Sequence, residues 1–293
     1  MFGSLVHSSL ARASPSLKPE KKPYAALVTG NYHPLPNGSV VDIKVPYHDA
    51  HNLGISDYFS ALGYILAHLG GPESNLSFVH LLQLLSQYAA WCRLSASALR
   101  VNPPTVVQLL WVCSPQYRFG GTHVEAKDGL FCLSSSVSPG KGDGLKEVRN
   151  VRVRELLAVW PDFSLLSPTP VQQAHAESGL IKSVDSSAEL FGTPWGHCGE
   201  SVSFAASSMH RTMKAGVPMG TLALSVKAMT SKIAGTNIVP AQAIQQLTRL
   251  SDIVEVFRTS GALRPMCLNC QYLSSGRIED YAYKLAGSQL LQV

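Results

Sequence analysis

The sequence predicts an α/β protein, because two kinds of apolar pattern follow one another along the chain. In several segments apolar residues recur at three- and four-residue steps, which indicates helices with one buried face. Shorter segments are continuously apolar or alternate between apolar and polar residues, and these indicate strands. Stretches rich in Pro and Gly separate the segments and are expected to end the elements.

Composition narrows the class of protein. The 293 residues allow two average domains, or one domain with a large extension, and 45% of them are hydrophobic. Only 15% are charged, which excludes a disordered acidic chain and a charge-rich coiled coil. The net charge of +5 permits an anionic partner such as nucleic acid without requiring one. The sequence has no run of about 18 uncharged apolar residues, so it predicts no membrane span.

The N-terminal half is predicted to consist of a flexible tail over residues 1–22 and a mostly helical region over residues 23–145. Two helical patterns, at residues 56–69 and 74–99, are separated by adjacent glycines. The apolar stripe of the second pattern consists of Phe78, Leu81, Leu82, Leu85, Tyr88 and Ala89. Strand-like runs in this region cover residues 39–45, 106–113 and 130–137.

Residues 146–293 are predicted to form a second domain, which follows a Gly-rich loop at residues 138–145. A turn-rich stretch from Gly192 to Gly196 leads to a helix that begins near Glu200. Other predicted elements are a short helix or strand over residues 151–159, a half-buried alternating strand over 221–228, and one helix over 240–257.

The cysteines indicate a reducing environment. Six of them in 293 residues are too sparse for a small disulfide-stabilised secreted domain. Residues 1–19 lack the compact apolar core and cleavage site of a secretory signal, so we expect a cytoplasmic protein. The four basic residues and single acid of residues 1–22 leave a mitochondrial location as the alternative. Cys92, Cys113 and Cys132 lie in apolar runs and are predicted to be core residues.

Four residues of the second domain carry the chemical signal, namely Cys198, Glu200, Cys267 and Cys270. A Cys-x-x-Cys pair at a loop-to-helix junction can direct two thiolates at one metal ion, because a helix N-terminus favours the thiolate. A third thiolate at the start of another helix leaves the fourth position of a zinc ion for water. A carboxylate two residues beyond that ligand can take the proton of the water and deliver it to a leaving amine.

In these residues the chain resembles the zinc-dependent cytidine deaminase-like superfamily, as a divergent member. Its signature is His or Cys, any residue and Glu, followed downstream by Pro-Cys-x-x-Cys. The resemblance implies that Cys198, Cys267 and Cys270 bind Zn²⁺ and that Glu200 is the catalytic proton shuttle. It also implies a three-layer α/β/α fold for residues 146–293, with the region before it as a largely helical extension.

The activity that the resemblance implies is hydrolytic deamination of a cytosine-type base in a nucleoside, a nucleotide or a nucleic acid. Trp195 is predicted to stack on that base, with a packing role as the equal alternative. The alternative function is a catalytically inactive protein of the same fold that acts as a binding or scaffold module. The chain departs from the signature at Met266, which separates Pro265 from Cys267.

The same residues permit other interpretations. The cysteines could be ordinary buried thiols, a redox Cys-x-x-Cys pair, or part of a closed structural zinc site completed by His197. His175-Ala176-Glu177 also matches the first half of the signature. It lacks the turn-rich approach, and we predict that it faces solvent away from Cys267 and Cys270.

Overall fold

The computed structural model describes residues 43–47, 51–69, 75–113, 125–139, 143–159, 196–208, 219–267, 270, 274 and 278–286. The strands of these residues are β1 (Ile43–Tyr47), β2 (His51–Ile55), β3 (Asn75–Ser77), β4 (Val106–Cys113), β5 (Glu125–Ser135), β6 (Met219–Ser225), β7 (Leu263–Arg264) and β8 (Ile278–Asp280). The helices are α1 (Tyr58–Leu69), α2 (Phe78–Leu99), α3 (Asp143–Val159), α4 (Glu200–Ser208), α5 (Val226–Thr230), α6 (Pro240–Ile244), α7 (Leu250–Thr259) and α8 (Tyr281–Ala286).

Six of the strands form one sheet in the order β3-β5-β4-β6, with β7 and β8 pairing with different parts of β6. Every pairing in this sheet is antiparallel except that of β8, which runs parallel to β6. The remaining two strands, β1 and β2, form a separate antiparallel pair. The connection between β6 and the parallel strand β8 contains α5, α6, α7 and β7, as a parallel crossover requires a long connection.

Helices cover both faces of this sheet. Alternate residues of β4 point to opposite faces, as strand geometry requires. On one face, Val107, Leu109 and Trp111 are buried with residues of α2 and of α5 to α8. On the other face, Leu110 and Val112 are buried with residues of α3 and α4 and with Cys270. These two apolar layers confirm the mixed helix and sheet content that was predicted, in a sheet that is mainly antiparallel, and the second layer contains the predicted site.

Strand pairing joins the regions before and after residue 145. Strands β4 and β5 belong to the region predicted to be a mostly helical extension, yet β4 pairs with β6 along its whole length, from Val106 opposite Ser225 to Val112 opposite Met219. Strands β3, β4 and β5 and helices α1 and α2 of that region therefore form part of the layer structure that contains the site. The sequence did not predict this pairing, because a strand covered on both faces is continuously apolar and nothing in such a run identifies its partner.

Two further elements differ from their predictions. The strand predicted to be half-buried at residues 221–228 is β6, which is buried throughout and ends at Ser225. Ser225 accepts a hydrogen bond from the Ala228 N–H and so begins α5. The helix predicted over residues 240–257 is interrupted, since Arg249 has extended backbone and α7 begins after it. Apolar residues recur at helical spacing on both sides of this interruption, so periodicity alone predicted one continuous helix.

The start of α3 also differs from its prediction. Helix α3 begins at Asp143, inside the stretch predicted to be a loop, and includes all of residues 151–159. The tail predicted over residues 1–22 lies outside the described residues. Within the ranges that the structure describes, no helix has both the length and the apolar composition needed to cross a membrane.

Candidate metal centre

The first half of the candidate site is the loop that enters α4. Gly196 has a φ of +77°, and a Cβ atom added there would lie 2.6 Å from the carbonyl oxygen of Arg149. Both the positive φ and the close approach to α3 require glycine at this position. At Gly199 an added Cβ would lie 3.2 Å from the Cβ of Gln108, so the loop also packs closely on the sheet. These contacts place Cys198 directly before the first turn of α4.

A buried ion pair supports the same loop. Arg152 of α3 donates to Asp57 Oδ2 at 2.8 Å and to Ser60 Oγ at 3.0 Å, and the side chains of Arg152 and Asp57 are 1% and 3% exposed. The other terminal nitrogen, Nη1, donates to the carbonyl oxygens of Cys198 at 3.2 Å and Gly196 at 3.4 Å. Because a buried guanidinium requires several acceptors, its position determines where these carbonyl groups lie.

A buried polar network lies between the sheet and the first turn of α4. Ser134 Oγ is 2.8 Å from Gln108 Oε1 and 2.9 Å from the carbonyl oxygen of Gly199, so its proton can be donated to either. Ser203 of α4 donates to the same Gln108 oxygen, and the Gln108 amide donates to Thr221 Oγ1. Three adjacent strands thus contribute side chains that fix the start of the helix.

The second half of the site is the segment between β7 and β8, which contains Cys267 and Cys270. Both flanking strands pair with β6, so the two ends of the segment lie beside the same central strand. Asp280, the last residue of β8, accepts a 2.7 Å hydrogen bond from the Met266 N–H through Oδ2. Its other oxygen, Oδ1, accepts from the Ala282 N–H at 2.9 Å.

The two halves bring three sulfur atoms together. The Sγ atoms of Cys198 and Cys267 are 3.1 Å apart although the residues are separated by 69 positions. With Cys270 they form a group whose sulfur atoms all lie within 4.8 Å of one another, a group that could hold a metal ion. Zinc bonded at about 2.3 Å to each of three thiolates requires sulfur separations of about 3.5–4 Å. The Cys198–Cys267 separation of 3.1 Å is shorter than this, so these two sulfur atoms would have to move apart to bind zinc, whereas the donor set itself suits a thiolate-bound metal.

Glu200 lies beside this group without belonging to it. It is the first residue of α4, its side chain is buried, and the group within 4.8 Å contains cysteine side chains alone among the described residues. Burial, followed by the negative charge of an ionised Cys267, raises the pKa of Glu200 to about 8. Hydrogen bonding among the thiols, followed by burial, raises the pKa of Cys270. The pKa of Cys198 is raised chiefly by its hydrogen bond with Cys267.

The other predicted residues have different outcomes. His197 is not a member of the sulfur group, and burial with the nearby charge of Arg152 lowers its pKa. Trp195, His175 and Glu177 lie outside the described residues, so their predicted roles stay predictions.

The supporting residues Arg152, Asp57, Gln108 and Asp280 were not identified from the sequence. Each lies in a different segment from the cysteines that it supports, and motif spacing does not reach across segments. Gln108 alone gave a usable signal, because it is a polar residue within the apolar run of β4. Such a residue is buried only when its amide group has partners.

Comparison with known proteins adds no relative. The chain matches no protein-family model, no curated protein and no solved structure. The function of this chain is therefore inferred from the chemistry of the site.

Proposed function

We propose that this protein is a zinc-dependent hydrolytic deaminase that acts on a cytosine-type base in a nucleoside, a nucleotide or a nucleic acid. One observation carries the proposal: three thiols from two distant segments converge beside a buried carboxyl group at the start of a helix. A purely structural zinc site has four protein ligands and requires no carboxyl group beside them, whereas the described residues supply three thiols and such a group. A hydrolytic site requires both features.

The residues present fit a zinc ion. Cys198, Cys267 and Cys270 would hold it, since zinc accepts thiolate ligands and three protein ligands are typical of catalytic sites. Bound zinc would lower the pKa of a water molecule, so that hydroxide is available near neutral pH. The location of Cys270 in the apolar layer with Met266 and Ile278 would keep bulk water from that side of the site.

Glu200 would move the proton that the reaction requires. In the hydrolysis of a 4-amino pyrimidine, a C–O bond forms at the ring carbon and the C–N bond to the exocyclic amine breaks. The proton lost from water must reach the departing nitrogen so that ammonia leaves, and a carboxyl group beside the thiolates can accept and then deliver it. Glu200 lies in the first turn of α4. Its carbonyl oxygen accepts a hydrogen bond from Ser203, whose hydroxyl also donates to Gln108, and these contacts fix its backbone.

The fold also supports a relation to the cytidine deaminase-like superfamily. The chain order of the Cys-x-Glu helix, a buried strand and the Cys-x-x-Cys segment corresponds to the pattern in which we identified the resemblance. Helices on both faces of one sheet are compatible with the three-layer α/β/α fold that the resemblance implies. In this proposal Trp195, next to Gly196 in the sequence, is the candidate for stacking on the base.

Zinc content and ammonia release, measured side by side, test the proposal. The purified protein is expected to contain about one zinc ion per chain and to release ammonia from at least one member of a panel of cytosine nucleosides, nucleotides and short oligonucleotides. Glu200→Gln should retain zinc but lose about 10²–10⁴-fold in rate, the usual contribution of a positioned acid–base group. Cys267→Ser should lose the metal, because a thiolate ligand is gone.

Glu255→Gln is the matched control, because Glu255 is an exposed residue of α7 that pairs with Arg258. It should retain both the zinc and the rate. An unchanged rate in Glu200→Gln would contradict the catalytic role. A protein that retains zinc but releases no ammonia from any member of the panel would instead favour the scaffold alternative.

A further inference from the structure

The sequence departs from the deaminase signature where the Cys-x-x-Cys segment begins, and the structure contains a contact at that position. A proline directly before the first cysteine would have a fixed φ and no N–H group. This chain has Met266 there, and its N–H donates to Asp280 Oδ2 at 2.7 Å. The Met266 side chain is buried in the same apolar layer as Cys270 and Ile278. The backbone before Cys267 is therefore fixed by a hydrogen bond and by packing.

Asp280 is well placed to hold this backbone. It is the last residue of β8 and lies opposite Thr221 of β6, so its Cα position is determined by the central strand of the sheet. The carboxylate accepts two backbone N–H groups, one at Met266 and one at Ala282 in the first turn of α8. Hydrogen bonds to an ionised carboxylate are stronger than bonds between neutral groups. The side chain thus connects the strand end, a helix start and the metal-binding segment.

We propose that Asp280 is a positioning residue of the metal centre, which sets the approach of Cys267 and Cys270 to the ion by holding the Met266 N–H. The inference rests on the proposed function only in that it needs a bound metal ion. It concerns metal affinity and coordination geometry, and these are measurable without turnover. Removal of a group that orients a metal ligand typically lowers metal affinity by about 10–100-fold.

The test is a titration of the metal-free full-length chain with Co²⁺ and with Zn²⁺. Asp280→Ser retains a side-chain oxygen near the start of α8 but is too short to reach Met266, and serine is a favoured N-cap residue. This variant should lower the affinity for both ions by about 10–100-fold and alter the visible spectrum of bound Co²⁺, with little change in the unfolding midpoint. Asp280→Asn retains the length and one acceptor, and it should restore part of the affinity.

Glu279→Ser is the matched control, because Glu279 is the exposed neighbour of Asp280 on β8 and the substitution likewise replaces a carboxylate with serine. It should bind both ions as the unaltered chain does. An Asp280→Ser protein with unaltered affinity and an unaltered Co²⁺ spectrum would overturn the inference. So would a loss of affinity in the Ser and Asn variants that merely follows their loss of thermal stability. Failure of the unaltered chain to bind either ion would count against the proposed function instead.

Discussion

The two halves of the candidate metal centre are supported in different ways. The Cys198 half lies on side chains from other parts of the fold, among them Arg152 of α3, Asp57 before α1 and Gln108 of β4. The Cys267 half is supported by backbone pairing of β7 and β8 with β6 and by the carboxylate of Asp280. The Cys198 half therefore depends on buried charged and amide side chains that are distant in the sequence. The Cys267 half depends on the strands that flank it.

This difference has a consequence for how the site forms. The buried polar partners of the Cys198 half must be satisfied as soon as the core forms, since each would otherwise be desolvated without a partner. That half is therefore expected to be complete in the metal-free protein. In the Cys267 half two thiols face a third across the gap between segments, and a cation would join them. Metal binding is expected to act mainly there.

The largest effect is expected from Arg152→Met. The substitution removes the cation that balances Asp57 and leaves two carbonyl groups of the Cys198 loop without their donor. Removal of one member of a buried ion pair typically lowers the free energy of unfolding by about 3–5 kcal/mol. Urea unfolding followed by circular dichroism measures the change. Arg93→Met, at an exposed residue of α2, should change stability far less. Equal effects of the two substitutions would mean that the buried pair does not support this half.

An intermediate effect is expected from zinc on the Cys267 half, and this prediction rests on the proposed function. At about 100 times its dissociation constant, a ligand that binds only the folded state stabilises it by about 2.7 kcal/mol. Native-state hydrogen exchange should show zinc protecting the amides of Leu263, Arg264 and Cys267 more than those of α4. Equal added protection in both halves would remove the distinction between them.

A smaller effect is expected from Gly196→Ala compared with Gly235→Ala. The two glycines have the same φ of +77°, so alanine meets the same backbone penalty of about 1–2 kcal/mol at each. At Gly235 the added Cβ would have no atom within 4 Å, whereas at Gly196 it would lie 2.6 Å from the Arg149 carbonyl oxygen. Thermal unfolding should therefore show the larger destabilisation for Gly196→Ala. A smaller loss at Gly196 than at Gly235 would show that α3 can move away from the Cys198 loop.

Local pattern was sufficient for several elements of the fold and for the residues of the site. The apolar stripe from Phe78 to Ala89 predicted α2, and all residues of that stripe are buried; the turn-rich approach to Glu200 predicted the start of α4. Cys198, Cys267 and Cys270 were chosen as one group because ligand chemistry restricts which residue types and spacings can share an ion. The interruption between α6 and α7 was not predicted, because apolar residues keep their helical spacing across it.

The sequence by itself determined the positions of most helices and strands and the chemical identity of the candidate ligands, because both depend on residue type and on short-range spacing. Only the tertiary structure decided that β4 and β5 share a sheet with β6, and that Arg152, Gln108 and Asp280 support the cysteines. The physical reason is that strand pairing and buried polar contacts satisfy hydrogen-bonding groups wherever the folded chain supplies a partner. That partner can lie about a hundred residues away in the sequence, so local sequence patterns do not predict it.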